Sequence, residues 1–152
     1  MLSPSARLAE LGLQLPPVAV PLATYLPAVR SGSLVYTAGQ LPLVNGALPV
    51  TGKLDAQVRL EQGVELARTC AINGLAAIDS LVGLDSVARV VKVVGYVAST
   101  PWFTDQPVVI NGASDLLREV FGEAGGHARS AVGVAVLPRD APVEVELVVE
   151  VR

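Results

Sequence analysis

One run of the chain, SVARVVKVVGYVAS (residues 86–99), decides most of what the rest can become. Valine branches at Cβ and loses side-chain freedom in a helix, whereas it packs well on a pleated strand. The run is apolar at nearly every position rather than at alternate ones, the pattern of a strand buried on both faces. It is expected to be the centre of a sheet, and the other segments must supply its neighbours and its cover.

Those segments are readable. In AVRSGSLVYTAGQLPLVNGALP (28–49), Ser31-Gly32 and Asn45-Gly46 are turn dipeptides, with the strand SLVYTAGQL between them. Gly39 inside that strand signals a bulge or a close backbone approach by a ligand. DAQVRLEQGVELARTCAINGLAAIDSLVG (55–83) has a 3.6-residue apolar period and reads as a helix capped by Asp55. PVVINGASDLLREVFGEAGG (107–126) reads as a second helix ending at Gly122 or Gly125. Near the start, Ser3 caps and Pro4 opens a short helix, with Leu8, Leu11 and Gln14 as its stripe. Four prolines in LPPVAVPLATYLP (15–27) then predict an extended arm.

The order is β-β-α-β-α-β-β, an α+β architecture with two helices on one face of the sheet. At 152 residues the chain fits one compact domain. Residues 1–24 form the N-terminal helix and arm, and 25–152 the single domain. Hydrophobic residues are 51% and charged ones only 16%, against about 25% usually, so part of the surface is expected to lie against other subunits. The net charge of −3 with no basic run excludes a nucleic-acid partner. The single cysteine, Cys70, excludes an internal disulfide or a cysteine zinc site and reads as a buried helix residue. Arg7 and Glu10 interrupt any early apolar run, and no run approaches the ~20 residues that cross a bilayer. A cytoplasmic protein without a membrane partner is expected.

The last segment, HARSAVGVAVLPRDAPVEVELVVEV (127–151), reads as a hairpin turning at PRDAP. Leu137 would face Val143 and Glu144 would face Val136, leaving Arg129 about 23 Å from Glu144 at ~3.3 Å per residue. These two charges could then act together only from different subunits. Ala131, Gly133 and Ala135 give the first strand one flat face, suited to close packing. Glu144, Glu146 and Glu150 share one face of the second.

Over about residues 25–152, LVYTAGQLPL and ARSAVGVAVLPRDAPVEVELVVEV resemble the two signatures of the RidA/YjgF family, the reactive-intermediate (enamine/imine) deaminases. The proline-rich arm and QPVVINGASDLLREVFGEAG resemble a divergent branch of it. The resemblance implies a chorismate-mutase-like (ferredoxin-like) fold and a homotrimer with clefts between subunits. It implies hydrolysis of enamines or imines, such as 2-aminoacrylate, to a 2-keto acid and ammonia without metal or cofactor. By motif, Arg129 pairs with the substrate carboxylate and Glu144 is the cleft glutamate that orients or deprotonates water. Gly39, Tyr25, Asn111 and Ala131 line the substrate pocket, Asn111 standing for the asparagine that the family carries ahead of its second helix. A guanidinium suits this task because it grips a planar carboxylate through two parallel hydrogen bonds.

Ala38 and Ala131 stand where the family's motif carries a serine and often a cysteine. This keeps open an alternative: a trimer that binds a small carboxylate without turning it over. A ribonuclease reading fits poorly with an acidic chain holding one histidine, His127. His127 could donate into the cleft or be a bystander, and Trp102 could be a packing anchor with Phe103 or a wall of the cleft.

Overall fold

The computed structural model describes residues 1–21 and 23–152; Leu22, within the proline-rich arm, lies outside the described residues. The elements run α1 (Pro4–Glu10), β1 (Ala28–Ser31), β2 (Leu34–Thr37), α2 (Leu60–Val82), β3 (Val87–Ala98), α3 (Gln106–Phe121), β4 (Ala128–Val134) and β5 (Val143–Val151). From β1 onward this is the expected β-β-α-β-α-β-β order. The five strands form one sheet in the order β1-β2-β5-β3-β4, and all pairs are antiparallel except β3 with β4.

The final two strands do not form a hairpin. β3 lies between them, paired with β4 on one side and β5 on the other. Residues 135–142, with a tight turn at Pro138–Asp140, carry the chain past the end of β3. That link is longer than the two to five residues usual for a hairpin, and the valines of β3 fill the gap it leaves. Glu144 accordingly faces Tyr96, not Val136.

β3 is indeed interior to the sheet, but it is not buried on both faces. Val93 and Val97 are fully buried under the helices, while Val94 and Tyr96 point to the other face and are only partly covered. The helix-side face continues through Val143, Val145, Leu147 and Val149 of β5 and Val35 of β2. Each such side chain, fully buried, contributes about 1.5–3 kcal/mol.

α2 and α3 both lie on that face and pack closely on each other. Gly112 makes the crossing possible, because a Cβ there would run into the Val64 carbonyl. α2 begins at Leu60 rather than at Asp55. Leu54 is fully buried, and its backbone bonds to Ala98 and Thr100, which holds this stretch extended beside the end of β3. The helix starts only after Arg59, where Gln62 accepts from the Arg59 N–H at 2.9 Å. Cys70 sits on its buried face.

α1 is capped by Ser3 as expected, but it stops at Glu10. Leu8 alone of its expected stripe is buried; Leu11 and Gln14 are exposed. Ser5 donates from its N–H and hydroxyl to Asp85 at 2.8 and 2.7 Å, fastening α1 to the turn before β3. These bonds hold the Asp85 carboxyl below its usual pKa.

Among the described residues the sheet's second face carries no helix. Val29, Tyr36 and Val132 are exposed there, beside Val94, Val148 and the three glutamates of β5.

Candidate functional site

Arg129 lies on β4 opposite Val93, so its side chain points to the helix side of the sheet, toward α3. Pro107, Asn111 and Ser114 follow one another at helical spacing of four and three, which makes one stripe along α3. The guanidinium lies along that stripe. Its Nη1 donates to Asn111 Oδ1 at 2.8 Å and Ser114 Oγ at 3.2 Å, and its Nη2 donates to the Pro107 carbonyl at 3.2 Å.

A guanidinium has five N–H donors. These three bonds use both protons of Nη1 and one of Nη2. Among the described residues nothing accepts from Nε or the last Nη2 proton, and no carboxylate pairs with Arg129. Nε and Nη2 are the two nitrogens of the side-on fork that carboxylates accept from. The chain thus anchors this cation by one edge and leaves the other available.

Ser114 was not among the residues singled out from the sequence, although its spacing from Asn111 was a usable signal. Asn111 lies inside α3, within the span read as the second helix, and this places its amide within reach of Arg129. Ala131, two residues beyond Arg129, faces the same side and packs against the core. Its methyl and Gly133 form the flat face against α3, and the Ala131 side chain offers no polar atom.

Glu144 belongs to a different place. Its β3 partner is Tyr96, on the face without helices, while Arg129 is paired with Val93 on the other face. Three residues along β3 and two strand spacings across separate their Cα atoms by about 14 Å. This replaces the separation expected from a hairpin, and the charges also point to opposite sides of the sheet. Within one chain they cannot meet.

The Glu144 carboxylate lies over Gly39, where a Cβ would overlap its Oε1. Gly39 follows the end of β2. Tyr36 pairs with Val148 and Gln40 with Val145, so four steps on one strand match three on the other, a bulge. The close approach expected at Gly39 is made by Glu144. Gly39 and Tyr25 line a small cleft with Gln40, Leu41 and Pro21 of the arm. Burial, and secondarily the charge of Glu146, raise the Glu144 pKa above its usual value. Glu146 itself accepts from the Tyr96 hydroxyl at 2.6 Å, and that bond leads in pushing the phenol up to about 12.

His127 does not donate outward. Its Nδ1 is 2.6 Å from the Gly125 carbonyl and its Nε2 2.9 Å from Ser114 Oγ. Trp102 is 78% exposed, so Phe103 alone packs against the core. Among the described residues no three metal-ligating side chains converge, and no helix is long and apolar enough to cross a membrane.

Each chain therefore carries two separate clusters: a cationic one of Arg129, Asn111 and Ser114, and an acidic one in which Glu144 lies over Gly39, whose other neighbours include the cleft lined by Tyr25. Known proteins resemble this chain over nearly its whole length. The family described as "YjgF/chorismate_mutase-like, putative endoribonuclease" matches residues 5–151. Protein TCP17 of Trypanosoma cruzi is 45% identical over 150 residues, covering 97% of this chain and 94% of that protein. The crystal structure of Atu1372 from Agrobacterium tumefaciens, a protein of unknown function, is 42% identical with a TM-score of 0.89, over 98% of this chain and 92% of that one. E. coli TdcF, solved with bound serine, is 26% identical with a TM-score of 0.60, over 89% of this chain and 93% of that one.

Proposed function

Because the chain belongs to the YjgF/chorismate-mutase-like family, we propose that it hydrolyses enamine or imine derivatives of small amino acids to 2-keto acids and ammonia, in clefts between the subunits of a homotrimer in the cytoplasm. The observation that carries this reading is the open fork of Arg129, a cation anchored on one edge and unpaired on the other. A serine-sized ligand in TdcF, with its carboxylate, fits that grip.

In this reading the substrate carboxylate accepts from Nε and Nη2 of Arg129. An enamine first tautomerises to the imine, whose C2 is electrophilic. Glu144 of a neighbouring copy closes the cleft, accompanied by Gly39 and Tyr25. As carboxylate it takes a proton from water while the oxygen adds to C2. The raised pKa makes Glu144 a better base than an ordinary carboxylate and lets it return the proton to nitrogen. This gives a carbinolamine; its hydroxyl proton then passes by way of Glu144 to the nitrogen as the C–N bond breaks, so that ammonia leaves and the keto acid remains. The protein's contribution is mainly orientation, since the imine reacts with water unaided.

The test generates imines in place with an amino-acid oxidase and measures the rate of keto-acid release. The wild-type chain should accelerate it, and neither Arg129→Ala nor Glu144→Gln should. Equal rates for wild type and Arg129→Ala would overturn the reading. The Ala131 side chain supplies only a methyl, and this favours a second reading, a trimer that binds a small carboxylate without turnover. Arg129-dependent pyruvate binding in calorimetry, without acceleration of any imine, would establish that one instead.

A further inference from the structure

We propose that His127 is a positioning residue that acts through Ser114 to hold Arg129 with its free edge turned outward. The proposal rests on the reading above for what Arg129 grips, but its geometry stands apart from it.

The protons along this chain of contacts can be placed one by one. The Gly125 carbonyl only accepts, so the Nδ1 atom of His127, 2.6 Å away, carries a proton and donates it. In the neutral ring Nε2 is then an acceptor, and its neighbour at 2.9 Å is the Ser114 hydroxyl, which donates to it. With its one hydrogen committed to His127, Ser114 Oγ turns its lone pairs toward Nη1 of Arg129, 3.2 Å away. Asn111 Oδ1 takes the other Nη1 proton at 2.8 Å. The direction of donation is uniform, from arginine to serine to histidine to backbone carbonyl, and bonds in such a series strengthen one another.

The arrangement explains a local oddity. Arg129 sits on the outer strand of the sheet, half exposed, where a long side chain ordinarily samples many rotamers. Here Ser114 and Asn111 hold both protons of one terminal nitrogen, so the guanidinium plane is set before any ligand arrives. Without the His127 acceptor, the Ser114 hydroxyl hydrogen loses its partner and nothing fixes the rotamer that holds Oγ against Arg129. The Ser114 contact is then lost, and the fork loses its orientation without losing its charge.

The test uses the full-length chain and three variants: His127→Phe, Ser114→Ala and His127→Gln. Glutamine places an amide oxygen near the position of Nε2 and should rescue. The first readout is nitrogen NMR of the Arg129 guanidinium, assigned by its absence from Arg129→Lys. Wild type and His127→Gln should show separate Nη1 and Nη2 signals at low temperature, and His127→Phe and Ser114→Ala should show them merged by rotation. The second readout is pyruvate affinity by calorimetry, which should fall about ten-fold in His127→Phe and Ser114→Ala. For any imine turned over, KM should rise by a similar factor while kcat changes less than about three-fold. Separate Nη signals in both His127→Phe and Ser114→Ala would overturn the proposal. So would undiminished pyruvate affinity in both. If wild type binds no pyruvate and turns over no imine, the functional reading fails, and the NMR result alone decides the positioning role. Ser114→Ala covers the case in which His127→Phe fails to fold.

Discussion

The carboxylate of Glu144 rests against the Cα of Gly39, in the space that a Cβ at that position would occupy. This contact joins the bulge after β2 to the start of β5. No residue with a Cβ fits at 39 without moving the acid.

Gly39→Ala should therefore displace Glu144 rather than unfold the protein. The atoms in the way are the far end of a flexible side chain, so stability should change by less than about 1 kcal/mol. Imine turnover should fall as in Glu144→Ala, and adding Gly39→Ala to Glu144→Ala should cost nothing further. Thermal melts and turnover rates of the two single variants and the double variant check this; additive losses would contradict it.

Gly112→Ala should behave in the opposite way. There the obstacle is the Val64 backbone carbonyl, which cannot swing aside, so α2 and α3 must separate. We expect a loss of about 3 kcal/mol, read from the midpoint of urea unfolding.

The pH dependence of stability should report on Glu144. Its folded-state pKa is raised, by burial first and by Glu146 second. A carboxyl whose folded value lies above its unfolded value of ~4.3 contributes its stability fully below that unfolded value. The contribution is lost as pH rises through the folded value. Glu144→Gln removes this loss, so its melting temperature should exceed the wild type's at about pH 8, with the difference shrinking toward about pH 4. A difference independent of pH would count against a strained acid.

The face of the sheet without helices is the surface on which the proposed trimer would close. Val132 is exposed there on β4. Val132→Asp would place a charge in an apolar contact and should give monomers in sedimentation velocity, with the fold retained by circular dichroism and turnover abolished. Trimers of unchanged stability would place the subunit contact elsewhere.

A large part of the fold was legible because its signals are local. Ser3 and Pro4 open α1, the valines of β3 make a strand, and Gly122 ends α3, each through the conformational preference of the residue itself. The late start of α2 was not legible, because Asp55 looks like a cap until Leu54 is known to be bonded to the end of β3. Trp102 was equally opaque: an aromatic in a short loop is buried only if something folds over it, and nothing among the described residues does. Ser114 and His127 carried a weak sign, helical spacing from Asn111 and nearness to Arg129, but a weak sign becomes a contact only when β4 is laid beside α3.

By itself the sequence determined which segments are strands or helices, and that Arg129, Glu144 and Gly39 stand at unusual places in them. Backbone propensity and side-chain period act over a few residues, and both are written locally. Only the tertiary structure decided that β3 separates β4 from β5, that Arg129 and Glu144 point to opposite faces, and that Glu144 is the group that comes close to Gly39. Strand pairing joins residues far apart in the chain, and an alternating pattern says which side chains share a face without saying which strand lies next door.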